Sequence, residues 1–466
     1  MLNETKKPLF SRKSLVKIIF PLIIQQTLAV TIGMVDSMMV SSAGEAAVSG
    51  VSLVTTLDIL LICAFSAMAT GGAIVISQFI GKKDLEIARS SAKQLIYVTT
   101  GVALIIATTV LIFRYPLLNT LFGDVEPEVM KNTQSYFFYI ALSFPVLGLY
   151  DAGAAIFRAM GNSMISMLAS LLMNIINVVC NAILIFGFGM GAAGAAIATL
   201  ISRVIGAGIM LVLVHNKKNT VYVEKLFHYR PNFTIIKNIL KIGIPNGIEN
   251  SMFQFGKLLT QSLISSMGTA AIAANAVAHT MSTFQYMPGG AIGLATVSIV
   301  GRCIGAQEKE QAKKYSRILI AITYCCLWFI VLLTCIFSKT IINVYQLSAE
   351  ASAMGQELII YHSICAALIW PIAFTLPNAF RAASDVRFPL IISALSMWLF
   401  RVGTCYVLAL ESVTVFGITV PGFGLGVLGV WVAMTLDWLF RAILFAFRYL
   451  SGKWLTKYKP VKNTEG

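Results

Sequence analysis

Twelve apolar stretches, each long enough to cross a bilayer, divide this chain near residues 18–40, 48–80, 95–115, 133–157, 165–187, 192–214, 236–262, 270–301, 318–337, 358–380, 389–410 and 425–447. About 20 apolar residues suffice for one helical crossing. Lipid offers no partner for backbone N–H and C=O groups, so only helices and closed barrels span it. The stretches are far too long for barrel strands of about 10 residues. The expectation is an all-α polytopic membrane protein with twelve transmembrane helices. The chain is 57% hydrophobic and only 12% charged, whereas a soluble domain carries about 25% charge.

The formal net charge of +15 invites a nucleic-acid partner. That reading fails, because the basic residues form short clusters between the apolar stretches. One set of ends and loops carries 28 Lys and Arg, the other only Arg114, Lys131 and Lys339. Loops rich in Lys and Arg stay in the cytoplasm, so both termini and the central linker are expected there, with the chain in a cytoplasmic membrane. The eight Cys show no CxxC spacing and read as reduced packing residues, with no disulfide or metal framework. The first stretch lacks a small-residue cleavage site and is expected to remain as a span.

The chain repeats itself. The displacement that carries Pro21 onto Pro245 also pairs Ser41-Ser42 with Ser265-Ser266, Gly44 with Gly268, Ile80-Gly81 with Ile304-Gly305 and Ala88 with Ala312, without a gap. AIFRAMGN (155–162) answers NAFRAASD (378–385), and FGMGAAG (188–194) answers FGLGVLG (423–429). Six spans per half give both halves one orientation, related by a pseudo-two-fold axis along the membrane normal. The expected organisation is an N-lobe over 1–214, a cytoplasmic linker over 215–235, a C-lobe over 236–447 and a basic tail over 448–466.

Polar residues inside the spans are the functional candidates, since an acid at bilayer depth costs about 2.5–3.5 kcal/mol on insertion scales. The first span carries Gln25 and Asp36, three turns apart and so on one face. Asn174, Asn177 and Asn181 share a face of the fifth span. The seventh carries Asn246, Glu249, Asn250, Gln254, Lys257 and Gln261 within an arc of about 140°. Such a stripe suits either a water-filled cleft or a buried network. Gln25, Asp58, Glu249, Asn250, Gln254 and Lys257 are the cleft candidates. Asp151, Asp437 and His279 are further polar sites, and a hydrogen-bonded structural role is favoured for His279. Arg158 and Arg381 are expected to be topology anchors at helix ends or lipid phosphates. Deep bases look few, which favours cationic substrates.

Two matches to the dinucleotide fingerprint, at Gly189, Gly191 and Gly194 and at Gly424, Gly426 and Gly429, follow no soluble strand and open no βαβ unit. They are expected to be tight turns and close helix packing. No Walker A sequence is present, so ATP is not the expected energy source, and no cofactor is expected.

The first span from Pro21 to Asp36, SQFIGKKDLEIAR (77–89), FRAMGN (157–162), GFGMGAAGAAIAT (187–199) and GRCIGAQEKEQAKK (301–314) together resemble the MATE family of multidrug and toxic compound extruders. The resemblance covers essentially the whole chain. It implies a cation-coupled antiporter, with two lobes around a central cleft, exporting drugs or toxic organic cations. It places a cation site on Asp36, Asn177, Asn181 and Thr199. These supply hard oxygen donors for Na⁺, or a carboxylate for H⁺. Some members carry a second acid where Asn181 stands, and NorM-like members carry an acid in the tenth span. Here Tyr361–Phe380 has none, and Glu357 lies at its rim. A DinF-like coupling site in the N-lobe is therefore expected.

The expected function is multidrug antiport by alternating access, in a monomer, with the bilayer and small organic molecules as partners. A flippase for lipid-linked oligosaccharides, from the same superfamily, is the nearest alternative. An intramembrane enzyme would need clustered His, paired acids at metal spacing or an activated Ser, so no enzymatic activity is expected.

Overall fold

The computed structural model of the chain describes residues 8–226, 228, 230–415 and 418–458. The first seven residues and the basic tail beyond 458 lie outside the described residues. Helices account for nearly all of it. In order they are α1 (Arg12–Ser41), α2 (Glu45–Lys82), α3 (Leu85–Ile112), α4 (Arg114–Phe122), α5 (Pro127–Ala159), α6 (Ser163–Asn181), α7 (Gly191–Val214), α8 (Phe233–Ser265) and α9 (Thr269–Gly305). Then come α10 (Lys309–Val344), α11 (Ala349–Trp370), α12 (Pro377–Ala382), α13 (Arg387–Ser396), α14 (Gly403–Ala409) and α15 (Gly426–Leu450).

Among the described residues, eleven helices are long and apolar enough to cross a membrane. α8 is the twelfth long one, at 33 residues. Its Lys, Glu, Asn and Gln side chains keep it out of that set. Every stretch expected to span falls on helix, and most helices outrun the apolar run at one end or both, while α3 ends at Ile112, short of the expected 115, and α15 begins at Gly426, one residue past the expected start. α2, expected over 48–80, begins at Glu45 and ends at Lys82. Polar end residues continue the helix because they cap it and reach out of the lipid. Asp84, at the start of α3, accepts from the Ile87 N–H at 3.2 Å, and Ser348 accepts from Ala351 N–H at 3.2 Å, each satisfying a first-turn donor.

Three single turns of π-helix interrupt the spans: Ala182–Gly187 after α6, Pro371–Thr375 after α11 and Met397–Val402 between α13 and α14. A π-turn adds a residue and shifts everything beyond it around the helix. One hairpin, β1 (Ser412–Val415) with β2 (Ile418–Pro421), is antiparallel, pairing Val413 with Val420. Its two short runs of β-branched residues were the available signal, lost beside the long apolar stretches.

The repeat is visible in the backbone. The repeat mates Gly44 and Gly268 open α2 and α9 at φ +99° and +98°. Lys83 and Gln307, paired by the same displacement, close those helices at φ 64° and 59°.

The chain divides into two compact units. Unit 1 is Met1–Gly247 with Gly301–Gln307, and unit 2 is Ile248–Val300 with Glu308–Gly466. In unit 1 the core is built around Phe65, Phe137, Phe144 and Phe157, all fully buried. Many large apolar side chains on the outside are exposed, among them Phe188 and Val212. In a membrane they face lipid at no cost. The linker is strapped to α3. Lys93 Nζ donates to the carbonyls of Lys225 and His228, both at 2.9 Å, and Tyr97 Oη donates to the Leu226 carbonyl at 2.6 Å.

Also within unit 1, the end of α9 crosses α2 at glycines. A Cβ on Gly81 would overlap the Arg302 carbonyl, and a Cβ on Gly305 would overlap that of Gln78. The two contacts exchange under the displacement of the repeat. Gly301 meets Ser77, its own repeat mate, at the middle of the crossing. Arg302 locks it, Nε and Nη2 donating to the Ala159 carbonyl at 3.1 and 2.8 Å. A methyl here must push backbone apart, and overpacking costs about 1–3 kcal/mol. Gly305→Ala should therefore lower the unfolding temperature of the detergent-purified protein. Gly101→Ala, with nothing within 4 Å, should leave it unchanged or raise it. Equal stability of the two variants would contradict the close crossing.

Candidate functional site

In unit 1, α1, α6 and α7 bring Asp36, Asn177, Asn181 and Thr199 together. Asn181 Nδ2 donates to Asp36 Oδ1 at 2.7 Å. The Asn177 amide lies 2.8 and 3.1 Å from the two Asp36 oxygens. With its NH₂ turned to them it donates to both, and its oxygen accepts from Thr199 Oγ1 at 3.3 Å. Thr199 Oγ1 also reaches the Ala195 carbonyl at 2.9 Å. Asn177 and Asn181 are buried, 6% and 1% exposed, so their amides have little water to turn to. Two NH₂ groups on one carboxylate are strong hydrogen bonds to an anion. Asn181 Oδ1 is buried with no partner. A buried acceptor without a donor costs about 1–3 kcal/mol, and this one sits on the residue that holds Asp36. Asn174, expected on the same face, has a buried Nδ2 with no partner. α1 runs unbroken through Pro21.

The other unit 1 candidates have separate partners. Gln25 Oε1 accepts from Ser166 Oγ at 2.8 Å. Asp58 Oδ2 is 3.7 Å from Arg203 Nη2, and Arg203 Nη1 donates to Ser143 Oγ at 2.6 Å. Both fingerprint glycine pairs are turns with positive φ, at 65° and 53° for Gly189 and Gly191 and at 61° and 58° for Gly424 and Gly426.

In unit 2 the seventh-span stripe is divided. Glu249 is buried and fully engaged: Arg381 Nη2 donates to its Oε2 at 2.7 Å, and Ser393 Oγ to its Oε1 at 2.7 Å. Asn250 is exposed and Gln254 half-buried. Gln261 Oε1 accepts from Asn275 Nδ2 at 2.9 Å. Lys257 Nζ lies 4.9 Å from the centre of the Phe253 ring. The geometry thus gives the buried-network role to Glu249. Arg381 is corrected with it. It is not a lipid anchor but the buried partner of Glu249, and Nη1 also donates to Asn378 Oδ1 at 3.0 Å.

The expectation of few deep bases is overturned as well. Arg381, Arg401 and Arg441 are all buried in unit 2. Asp437, 0% exposed, accepts from Arg441 Nε at 2.7 Å and from Ser396 Oγ. Its other oxygen is 3.7 Å from Arg401 Nη1. The Asp437–Arg441 pair is an i, i+4 pair on α15, a spacing open to inspection in the sequence. His362 was missed entirely. It is buried, with Nδ1 2.8 Å from Gln285 Oε1, among Trp431 and Trp438. His279 is exposed.

Removing one partner of a buried ion pair strands the other charge, at about 3–5 kcal/mol. Arg381→Gln should destabilise the purified protein by that order, and Glu249→Gln likewise. The double substitution should cost much less than the sum of the two. Additive losses in a thermal-unfolding cycle would mean that the pair is not coupled.

Compared with known proteins, the chain matches the MatE family model over residues 21–183 and 245–407. The second stretch begins and ends at the repeat mates of the first, so the family model finds the same internal repeat. An "Uncharacterized transporter YisQ" of Bacillus subtilis is 29% identical over 466 residues, covering 97% of each chain. A "Probable multidrug resistance protein NorM" of Thermotoga maritima is 27% identical, covering 95% of this chain and 93% of that one. Among solved structures, an outward-facing multidrug resistance MATE family transporter superposes with a TM-score of 0.85 at 20% identity, over 96% of this chain and 97% of that one. A MATE in the bent conformation superposes at 0.84, also at 20% identity, covering 95% and 96%. With the helices, the repeat and the family model in agreement over most of its length, the chain is a membrane protein that belongs to the MatE family.

Proposed function

We propose that the protein is a cation-coupled antiporter. It exports small organic compounds across the bacterial cytoplasmic membrane, and Asp36 is the site of the coupling ion, Na⁺ or H⁺. One observation carries this reading. Asp36 is held by two buried amides, and one of those amides has an oxygen without a partner.

The same four side chains suit two states. Without a cation, amide N–H groups hydrogen-bond the carboxylate and leave its charge uncancelled. With Na⁺, turning the amides presents Asn177 and Asn181 oxygens beside the carboxylate and the Thr199 hydroxyl, a set of hard oxygen donors. A proton on Asp36 instead removes the need for both N–H donors. In either case the ion changes what holds α1 against α6 and α7. Coupling requires that this binding differ between two conformations, and α1 carries the group that differs. The names of the relatives support export of drugs as the transported work. A monomer acting by alternating access, with both termini in the cytoplasm and no ATP, completes the reading.

A second reading is a flippase for lipid-linked oligosaccharides. The buried guanidinium groups of unit 2 favour it, since such a substrate is anionic. Proteoliposomes separate the two. Na⁺ and pH gradients are imposed one at a time, and ethidium exchange is compared with flipping of a labelled lipid. Ethidium movement is expected with one of the gradients and should be lost in Asp36→Asn, with the variant still folded in the membrane. Exchange that needs neither gradient, or survives Asp36→Asn at the wild-type rate, would sink the antiport reading.

A further inference from the structure

Arg401 is the one guanidinium in unit 2 whose buried N–H groups the described residues leave open. It sits in the π-turn Met397–Val402 and is 6% exposed. Its Nε and Nη1 are buried with no hydrogen-bond partner. The nearest carboxylate oxygen, Asp437 Oδ2, is 3.7 Å away, beyond hydrogen-bond reach, and is itself without a partner. Asp437 is already committed to Arg441 through its other oxygen. One carboxylate therefore faces two guanidinium groups, both always charged, and a positive charge is left over.

Its aromatic neighbour does not discharge it. The Arg401 guanidinium carbon lies 5.1 Å from the centre of the Phe253 ring. That contact is with the ring and is no hydrogen bond, so it leaves the N–H donors unanswered. Phe253 is half-buried and meets Phe374 edge to face at 5.8 Å. Lys257, also half-buried, and Arg441 approach the same ring, at 4.9 and 5.6 Å.

The repeat sharpens this. Under the displacement that carries Pro21 onto Pro245, Asp36 falls on Thr260 and Asn177 on Arg401, to within the single position by which the FRAMGN and FRAASD motifs differ. At these paired sequence positions the first half carries an acid and an amide, and the second a hydroxyl and a guanidinium.

We propose that Arg401 is an anion-recognition residue, and that the transported compound carries a carboxylate beside an aromatic ring. The carboxylate seats on the open guanidinium donors and the ring on Phe253. This rests on the transport reading for the word transported, but not for the binding. A planar guanidinium fork matches a carboxylate in shape as well as charge, and the ligand supplies the missing counter-charge.

The test uses the purified full-length protein and two probes, a benzoate-bearing aminoxanthene dye and the same dye as its methyl ester. Binding is read by fluorescence anisotropy, with no ion gradient present. The free acid should bind about tenfold or more tightly than the ester, the scale of a charge-assisted hydrogen bond. Arg401→Gln should bring the acid down to the level of the ester and leave the ester unchanged. Arg401→Lys keeps the charge but loses the fork, and should fall between; it also serves if the Gln variant does not fold. An acid that binds no better than its ester, or an Arg401 variant that weakens both dyes alike, overturns the proposal. Vesicles that move neither dye under any gradient would instead overturn the transport reading and leave the binding result standing.

Discussion

A charge buried in a helix bundle within lipid has to be answered by its neighbours, and Asp36 in unit 1 is answered with different chemistry from Glu249 and Asp437 in unit 2. In unit 1 the answer to Asp36 is neutral. Two amides donate to the carboxylate, and a hydroxyl supports one of them. Neutral partners leave the net charge of the site at minus one, so an incoming cation still gains from entering. In unit 2 the answer to each acid is a base. Glu249 has Arg381, and Asp437 has Arg441. Those acids are already neutralised, and a cation gains little there. The same residue type, a buried carboxylate, is thus open to a cation in one place and closed to it in the other.

This difference grew on a shared scaffold. The halves open and close their second helices with the same backbone turns, and two of the paired positions, Gly81 and Gly305, meet at one reciprocal crossing. Glycine is needed there because backbone atoms approach where a Cβ would otherwise sit. Such contacts depend on the path of the main chain and change little when side chains deeper in the span are replaced. Packing of the crossing and chemistry of the sites are therefore separable. The repeat can keep the first while the second diverges, as the paired positions Gln25 against Glu249 and Gly33 against Lys257 illustrate.

What was legible in the sequence follows from which physical signals are local. Helix number and order came from the length of the apolar runs. The grouping of Asp36 with Asn177, Asn181 and Thr199 came from the family resemblance; the sequence itself showed only that Asn177 and Asn181 lie one turn apart, ahead of the π-turn that begins at Ala182. A helical wheel is sound up to that point. Helix ends were less legible, since polar residues that cap or reach out of lipid extend helices such as α2 and α10 past their apolar runs. The role of Arg381 was not legible at all. Its partner Glu249 is 132 residues away in sequence, and nothing local marks the pair.

Arg401 was hidden for a different reason. A wheel drawn through α13 assumes about 100° per residue, and the π-turn Met397–Val402 contains the very residue in question. The extra residue displaces side chains beyond it by up to about 100°, enough to move a base from the helix rim to its buried face. From sequence alone an Arg in a span is most simply placed at an interface, with its head group in water. Only the turn puts it against Phe253 and short of Asp437. The placement of Arg401 thus depends on one irregular turn of backbone. Restoring regular helix there, with every residue type kept, would rotate the guanidinium away from Phe253 and leave Asp437 and Arg441 as a closed, neutral pair.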